Sequence, residues 1–259
     1  MLLAVDIGNT NIDVGLFKGD DLYVNWNLAT DIYKSADEYA VILLTLLREM
    51  GDKPSDIDKA AICSVSPPLV PTFKELCTRY FEISPLVVEA GVKTGVSVLM
   101  DNPREVGPDR IVNAVGGHHL YGGPLIVIDL GTATTFDVVS EKGDYLGGAI
   151  SPGIKIATEA LFQRTARLPR VELIRPKHVI GRDTITAMQS GLVFGYVGLI
   201  EGIVARIQQE LDTKAKVIAT GGYGDLLAAE TKVIEIVDHN VTLTGLRVIY
   251  ERNFGKGYV

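Results

Sequence analysis

The sequence predicts an α/β protein built from two similar lobes, and three observations lead to this fold class. Strand-like alternation of apolar and polar residues is interleaved with helix-like spacing along all 259 residues. A strand-turn-strand unit at residues 4–20 recurs at residues 127–144. Hydrophobic residues make up 47% of the chain, enough for a substantial core. We therefore expect one lobe over residues 1–120 and a second over residues 121–259.

The first lobe is expected to open as an antiparallel meander. Val5 and Ile7 alternate with their neighbours as in a half-buried strand, and Gly8 permits a tight turn into the next strand. Ser35 and Glu38 form a capping-box pattern that predicts the start of a helix. The elements expected after the meander are a helix to residue 50, a strand at 60–65, a helix at 69–80 and a strand at 85–88.

The second lobe repeats this order after residue 124. Residues 127–132 match residues 4–9 directly, and after one inserted residue Phe136-Asp137-Val138 matches Ile12-Asp13-Val14. Two unrelated hairpins would not explain Asp and Gly at matched places in both halves, so the pattern indicates an internal duplication. Each lobe would then present one polar turn to a cleft that the two lobes share.

The longest helical pattern runs from Thr184 to Leu211 and contains glycines at steps of four and three residues. Glycine is unfavourable inside a helix, so this spacing predicts that another backbone comes close. The partner would be either the sheet of the same lobe or a helix of a second subunit. The glycines concerned are Gly191, Gly195, Gly198 and Gly202.

The first polar turn is a candidate phosphate site. Asp6 supplies a carboxylate, and Asn9, Thr10 and Asn11 supply short polar side chains beside backbone N–H groups that the turn exposes. This combination suits phosphate oxygens and a hydrated divalent cation. A plain hairpin with a polar turn is the alternative.

A second candidate is the loop at residues 102–110, which leads into a helix. Pro108 fixes the helix entry, and Asp109 lies in the first turn, where a carboxylate is favoured. Asp109 could accept a proton from a substrate hydroxyl while Arg110 binds a substrate carboxylate; a helix cap with a surface ion pair is the alternative. Two phosphate-type turns and a base are the parts that phosphoryl transfer needs, and we expect Arg110 to lower the pKa of Asp109.

Composition excludes several other functions. The net charge of −7 and the lack of a basic cluster argue against nucleic acid as a partner. Uncharged apolar runs stay below the ~18 residues of a membrane span. Cys63 and Cys77 have no CxxC spacing and are expected to be reduced and buried in a cytoplasmic protein. Serine-hydrolase, Rossmann and P-loop motifs are absent, and the histidines lack zinc-ligand spacing.

Four motifs in this order closely resemble those of the type III pantothenate kinases. They are Asp6-Ile7-Gly8-Asn9-Thr10-Asn11, Gly107-Pro108-Asp109-Arg110, residues 129–135 and Gly181-Arg182-Asp183-Thr184. The resemblance spans nearly the whole chain. It implies the actin, Hsp70 and sugar-kinase superfamily, with two duplicated ribonuclease-H-like lobes, each a mixed five-stranded sheet with flanking helices, around a nucleotide cleft. It also implies transfer of the ATP γ-phosphate to pantothenate, the first step of coenzyme A biosynthesis.

The resemblance also implies roles for individual residues. Asp109 would be the general base, and Gly107, Pro108 and Arg110 would line the pantothenate site with Thr184, which contacts pantothenate across a homodimer interface. Asp129 would coordinate the monovalent cation, K+ or NH4+, and Asp6 would hold Mg2+ directly or through water. The ATP-binding residues carried over from the family are Asp6, Ile7, Gly8, Asn9, Thr10, Asn11, Ile12, Asp13 and, from the other lobe, Thr132.

One departure from the family pattern is Met100, which stands where many members have a tyrosine two residues before the Asn-Pro pair. Methionine can fill an irregular apolar site, and the base and phosphate positions are intact, so we expect an active enzyme. The rival interpretations are another small-molecule kinase of the superfamily, a non-catalytic regulatory relative, and an actin-like or chaperone-like ATPase.

Overall fold

The computed structural model describes residues 1–211 and 213–255. The chain divides into two compact units. The first contains residues 1–96, 102–119 and 241–255, and the second contains residues 97–101 and 120–240 without residue 212. Both units are α/β, each with a five-stranded mixed sheet and flanking helices.

The sheet of the first unit has the strand order β3-β2-β1-β4-β5. Strands β1 and β2 are antiparallel, as are β2 and β3, whereas β4 and β5 add in parallel on the other side of β1. The meander predicted from the alternation is therefore confirmed. Its strands are β1 (Leu2–Ile7), β2 (Asn11–Lys18), β3 (Asp21–Ala29), β4 (Lys59–Ser64) and β5 (Leu86–Val87).

Alternation along β1 divides its side chains between two cores. Leu3, Val5 and Ile7 pack with helices on one face of the sheet, and Leu2 and Ala4 pack with helices on the other. The helices of the first face are α1 (Ala36–Glu49) and α2 (Leu69–Tyr80), and those of the second are α3 (Pro108–Tyr121) and α7 (Val241–Phe254). Helix α1 begins with the predicted capping box, in which Ser35 and Glu38 bond reciprocally.

The position of α7 differs from the expected lobe division. Chain order alone suggested that the last helix completes the second lobe, but α7 packs against β1, β2 and β4 of the first sheet. It crosses α3 at two glycines: a Cβ atom on Gly116 would lie 2.1 Å from the carbonyl oxygen of Val241, and one on Gly245 would lie 2.1 Å from that of Val112. Only glycine permits this approach, which fixes α3 and therefore its first residues on the sheet.

The sheet of the second unit has the order β10-β9-β6-β7-β8, which is the topology of the first sheet read in the opposite direction. The duplication predicted from the sequence is thus present in the fold. Strands β6 and β7 form the hairpin that corresponds to β1 and β2, and β9 pairs in parallel with β6. The strands are β6 (Leu125–Leu130), β7 (Ala133–Val139), β8 (Tyr145–Pro152), β9 (Lys216–Thr220) and β10 (Ile236–Val237).

The register corrects one detail of the predicted duplication. Asp6 pairs with Asp13 in the first hairpin, and Asp129 pairs with Thr135 in the second. The second turn is therefore one residue shorter than the first, not one residue longer, and Thr135 rather than Asp137 corresponds to Asp13. The sequence similarity around Asp137 is confined to a few residues, whereas the register of the two strands is set by the length of the turn.

Three helices complete the second unit: α4 (Ile154–Arg164), α5 (Thr184–Leu211) and α6 (Gly224–Ala228). The bounds of α5 are those predicted from its periodicity. By length and composition alone α5 could cross a membrane, but Val193, Ile200 and Val204 pack into the core of this unit. The core helices of globular proteins can have the same length and hydropathy.

Candidate active site

The first polar turn is held by hydrogen bonds within residues 8–11 and from Thr30. Gly8 N–H donates to the carbonyl oxygen of Asn11 at 2.9 Å. Thr30 donates twice, through its N–H to the Thr10 carbonyl at 2.9 Å and through Oγ1 to the Gly8 carbonyl at 2.8 Å. A Cβ on Gly8 would lie 2.8 Å from the Asn11 oxygen, so the turn leaves no room for a side chain there. The side chains of Asn9, Thr10 and Asn11 remain exposed.

Behind this turn, four aligned residues form a row across the first sheet. Asn27 on β3, Asp13 on β2, Asp6 on β1 and Cys63 on β4 are successive Cα partners. Directly paired residues point to the same face of a sheet, so these side chains share the face that α3 and α7 cover. Asn27 Nδ2 donates to Asp13 Oδ1 at 2.6 Å. The row therefore gathers two carboxylates at the edge of the turn.

Asp109 lies beside the same row because of how α3 packs. Val112 and Val115 belong to the core on this face, and Asp109 precedes Val112 by one helical step of three residues. Its charge acts on the Cys63 thiol, as does that of Asp6. A Cβ on Gly107 would lie 2.4 Å from Asp109 Oδ1, so glycine at 107 leaves space for this carboxylate. The structure thus brings Asp6, Asp13 and Asp109 into one region of the first unit.

Burial and Arg110 shift the pKa of the Asp109 carboxyl in opposite directions. Burial raises the pKa of the Asp109 carboxyl, and hydrogen bonding from the Arg110 N–H and the Arg110 charge lower it by less. Arg110 lowers the pKa of Asp109 as expected, but desolvation by burial outweighs this effect, so the net shift is upward. A carboxylate with a raised pKa is a better proton acceptor than one on the surface.

In the second unit, Asp129 stands in the place that Asp6 has in the first. Its Oδ1 would lie 2.8 Å from a Cβ on Gly221 and 3.2 Å from one on Gly131, so both glycines border this carboxylate. Gly221 also has φ +87°, a conformation that favours glycine. Thr135 and Thr220 are its Cα partners on the two neighbouring strands. Asp129 is consequently surrounded by oxygen-bearing residues and bare backbone.

Thr132 lies in the second polar turn, with its side chain exposed. The Gly153 N–H donates to the Thr132 carbonyl at 3.1 Å, and a Cβ on Gly153 would lie 2.2 Å from that oxygen. The second turn is thus fixed by the residue that precedes α4, whereas the first is fixed by Thr30. The two turns share a strand topology but not their supporting contacts.

Thr184 is the first residue of α5, and its side chain is exposed. Asp183 caps this helix, since its Oδ1 accepts from the Thr186 N–H at 2.9 Å. This bond lowers the pKa of the Asp183 carboxyl. Within the described residues, and apart from the neighbouring backbone of α5 itself, no atom lies within 4 Å of a Cβ built on Gly191, Gly195 or Gly198. Of the two partners considered for the glycine face, the sheet of the same unit is therefore excluded within residues 1–211 and 213–255.

The candidate ligands for metal ions are the oxygen atoms near Asp6 and Asp129. The described part of the chain contains no cluster of three or more His, Cys, Asp or Glu side chains that could hold an ion. Mg2+ in kinases is bound through one or two carboxylates and substrate phosphates, so the Asp6 carboxylate beside a phosphate-type turn fits it. The carboxylate and hydroxyl oxygens at Asp129, Thr135 and Thr220 are hard donors that fit an alkali-metal ion.

Sequence reasoning missed two residues of the first unit that support the predicted site. Thr30 follows the last strand of the meander, and its spacing from Gly8 carried no signal in the sequence. Cys63 continues the alternation of Ala61, which placed it in a buried strand, but only the parallel pairing of β4 with β1 sets it beside Asp6. In the second unit, Asp137 is fully buried and accepts from Tyr145 Oη at 2.8 Å and Thr135 Oγ1 at 3.1 Å.

Comparison with known proteins identifies the family of the chain. The family model described as type III pantothenate kinase matches residues 2–206. Type III pantothenate kinases from Dehalococcoides mccartyi strain 195 and Moorella thermoacetica are each 52% identical to the chain, over 97% and 98% of it and 98% and 100% of the relatives. One from Geobacillus sp. strain WCH70 is 51% identical over 99% of both chains.

Solved structures share the fold at low sequence identity. A protein assigned to the Baf family of transcriptional activators from Campylobacter jejuni superposes with a TM-score of 0.62 at 21% identity, covering 97% of this chain and 98% of that one. Component A of (R)-2-hydroxyglutaryl-CoA dehydratase from Acidaminococcus fermentans gives 0.57 at 12% identity, covering 98% of both. At this sequence identity the likenesses show a shared fold alone. From the family model and the near-complete matches at about half identity, the chain belongs to the type III pantothenate kinase family.

Proposed function

We propose that this protein phosphorylates pantothenate with ATP to give 4'-phosphopantothenate, the first step of coenzyme A biosynthesis. The observation that carries the proposal is Asp109, a partly buried carboxylate with a raised pKa that lies at the start of α3 beside the row of Asp6 and Asp13. The family assignment gives the substrates as ATP and pantothenate. The geometry of the first unit supports the chemistry.

In the proposed reaction, Asp109 is the general base. It accepts the proton of the primary hydroxyl of pantothenate while that oxygen attacks the γ-phosphorus of ATP, and the bond to the ADP oxygen breaks. Transfer through a loose transition state needs positioning and charge neutralisation more than a strong base. A carboxylate whose pKa is raised by burial meets this need.

The turn at residues 6–13 is proposed to bind ATP together with its divalent metal ion. Backbone N–H groups and the exposed side chains of Asn9, Thr10 and Asn11 suit phosphate oxygens. Asp6 would hold the divalent ion, which we take to be Mg2+, directly or through water. This ion neutralises charge on the phosphates when it is bound. Thr132, in the corresponding turn of the second unit, is proposed to bind ATP as well.

Asp129 is proposed to coordinate the monovalent cation, K+ or NH4+. Its Oδ1 borders two glycines, and threonines are its partners on both neighbouring strands. Carboxylate and hydroxyl oxygens are the ligands that an alkali-metal ion prefers. Asp129 would therefore combine the charge and the open backbone that such an ion requires.

Gly107, Pro108 and Arg110 are proposed to line the pantothenate site together with Asp109. Arg110 would bind the pantothenate carboxylate through its planar guanidinium. Met100 is partly buried, and its Cγ would lie 3.9 Å from a Cβ on Gly147. The thioether would fill the space that an aromatic ring occupies in many relatives.

We further propose a homodimer in which α5 meets its copy along Gly191, Gly195 and Gly198. A Cβ on any of these glycines would meet no described atom apart from the neighbouring backbone of α5 itself, so the face is open to a close backbone contact. Thr184, exposed at the start of α5, would contact pantothenate bound to the other subunit. We expect the enzyme to act in the cytoplasm without nucleic acid or membrane as partner.

The test is ADP release by purified protein with ATP, Mg2+ and K+. We expect release only when pantothenate is added, with phosphopantothenate as the product. Release with hexoses or glycerol instead would indicate another kinase of the superfamily, and release without any acceptor would indicate an ATPase. Absence of turnover with all acceptors would favour a regulatory relative.

The homodimer has its own measurement. Light scattering should give twice the chain mass, and Gly195→Leu should give monomers with lower activity, because the leucine side chain would separate the helices. A fully active monomeric wild type would contradict the role given to Thr184.

A further inference from the structure

Cys63 lies beside Asp6 and is close enough to Asp109 to be affected by its charge. The reaction proposed above gives this thiol no role. Cys63 is the Cα partner of Asp6 on the parallel strand β4, and its side chain is fully buried. Partners in a parallel pair point to the same face, so the thiol and the Asp6 carboxylate are direct neighbours. Ala61 and Val112 pack on this face as well. The thiol thus lies at the end of the polar row, next to the apolar residues of this face.

The contacts of the thiol distinguish it from an ordinary buried cysteine. The Cys63 side chain is hydrogen-bonded to Asp6. Burial and the charges of Asp6 and Asp109 raise the pKa of the thiol well above its usual value. A carboxylate oxygen accepts and a thiol has one proton to donate, so the thiol is the donor of this bond.

We propose that Cys63 is a positioning residue for phosphoryl transfer: its thiol donates a hydrogen bond to Asp6, fixing that carboxylate toward the metal–nucleotide without adding charge beside Asp109. This inference rests on the role proposed above for Asp6. A stronger cationic donor at 63 would neutralise Asp6 and compete with the metal ion. An aliphatic residue would leave the carboxylate without this partner.

The second unit offers a parallel arrangement. Thr220 on β9 is the Cα partner of Asp129, as Cys63 on β4 is the partner of Asp6. Thr220 is also buried. In both sheets, a small residue with one weak, uncharged donor stands beside the aspartate at the end of the central strand. The matched position thus carries a thiol in the first unit and a hydroxyl in the second.

Cys77 provides a matched control in the same unit. It is fully buried on α2, and burial alone raises the pKa of its thiol to about 12. Cys63→Ala and Cys77→Ala remove the same atom from equally buried sites, so both should lower the melting temperature. Only Cys63→Ala should affect the nucleotide site.

We expect Cys63→Ala to raise the KM for Mg·ATP by roughly 3- to 10-fold, as loss of one hydrogen bond does. The kcat and the KM for pantothenate should stay within about twofold. Titration calorimetry with a non-hydrolysable ATP analogue and Mg2+ should show a loss of affinity by the same factor. Cys63→Ser, which restores a donor, should recover part of this affinity, and Cys77→Ala should leave all three constants unchanged.

Equal constants for Cys63→Ala and Cys77→Ala would overturn the inference, as would a Cys63→Ser variant no better than Cys63→Ala. Asp6→Asn, measured beside them, separates the two levels of the proposal. If Asp6→Asn weakens Mg·ATP binding and Cys63→Ala does not, only the positioning role fails. If Asp6→Asn leaves Mg·ATP binding intact, the role of Asp6 in the proposed function fails and the inference fails with it.

Discussion

Thr30→Val is a sharp test of the first polar turn, because valine keeps the shape of threonine and removes a single donor. Thr30 Oγ1 donates to the Gly8 carbonyl at 2.8 Å, and the Thr30 N–H, which the substitution retains, donates to the Thr10 carbonyl at 2.9 Å. Loss of one neutral hydrogen bond costs about 0.5–1.5 kcal/mol. If the turn binds ATP only in its ordered form, this energy corresponds to a KM for ATP about 2- to 12-fold higher.

Steady-state kinetics with ATP varied at saturating pantothenate would measure this effect, and kcat should change by less than about twofold. Thr78→Val is the control, since Thr78 Oγ1 donates to the Lys74 carbonyl at 2.9 Å on α2 of the same unit. Both variants should fold. A Thr30→Val variant that loses stability but keeps its KM for ATP would refute the assignment of this turn to the nucleotide.

Three further predictions follow from the crowding and burial of the first unit. Gly107→Ala should lower kcat at least tenfold, because its Cβ would displace the Asp109 carboxylate. Gly245→Ala should lower the free energy of unfolding by about 1–3 kcal/mol, since its Cβ would lie 2.1 Å from the Val112 carbonyl. Asp109→Asn should raise the melting temperature at neutral pH: burial raises the pKa of Asp109 in the folded state, so its charged form opposes folding.

The gain in melting temperature expected for Asp109→Asn should depend on pH. The destabilisation by ionised Asp109 is fully present above its folded-state pKa and is lost as the pH falls toward the unfolded value. The melting temperatures of wild type and Asp109→Asn should therefore converge in acid, in differential scanning calorimetry. A gap that widens in acid would be inconsistent with burial as the cause. Unchanged kinetics for Gly107→Ala, or unchanged unfolding for Gly245→Ala, would show that the backbone yields at those positions.

Local sequence patterns predicted those strands and helices that bury one face and expose the other. Strand alternation gave the β1–β2 hairpin, and the apolar period gave both ends of α5, because each signal comes from neighbours in sequence. The duplication was visible because Asp and Gly recur at matched places.

Long-range pairing could not be predicted in the same way. The α3–α7 crossing depends on two glycines 129 residues apart along the chain, Gly116 and Gly245, neither of which has a local signal. The partnership of Cys63 with Asp6 needs the parallel register of β4, and the raised pKa of Asp109 needs its burial. Sequence identified which polar groups could act, whereas the fold determined their neighbours and therefore the direction in which their pKa values shift.

The most direct measurement is the turnover of Asp109→Asn with ATP, Mg2+, K+ and pantothenate, beside Asp21→Asn, an exposed substitution on β3. Loss of a general base lowers rates by a factor on the order of 10² or more, and asparagine retains the size of the side chain. We predict that phosphopantothenate formation falls by at least this factor for Asp109→Asn and is unchanged for Asp21→Asn. Full turnover by Asp109→Asn would contradict the assignment of Asp109 as the base.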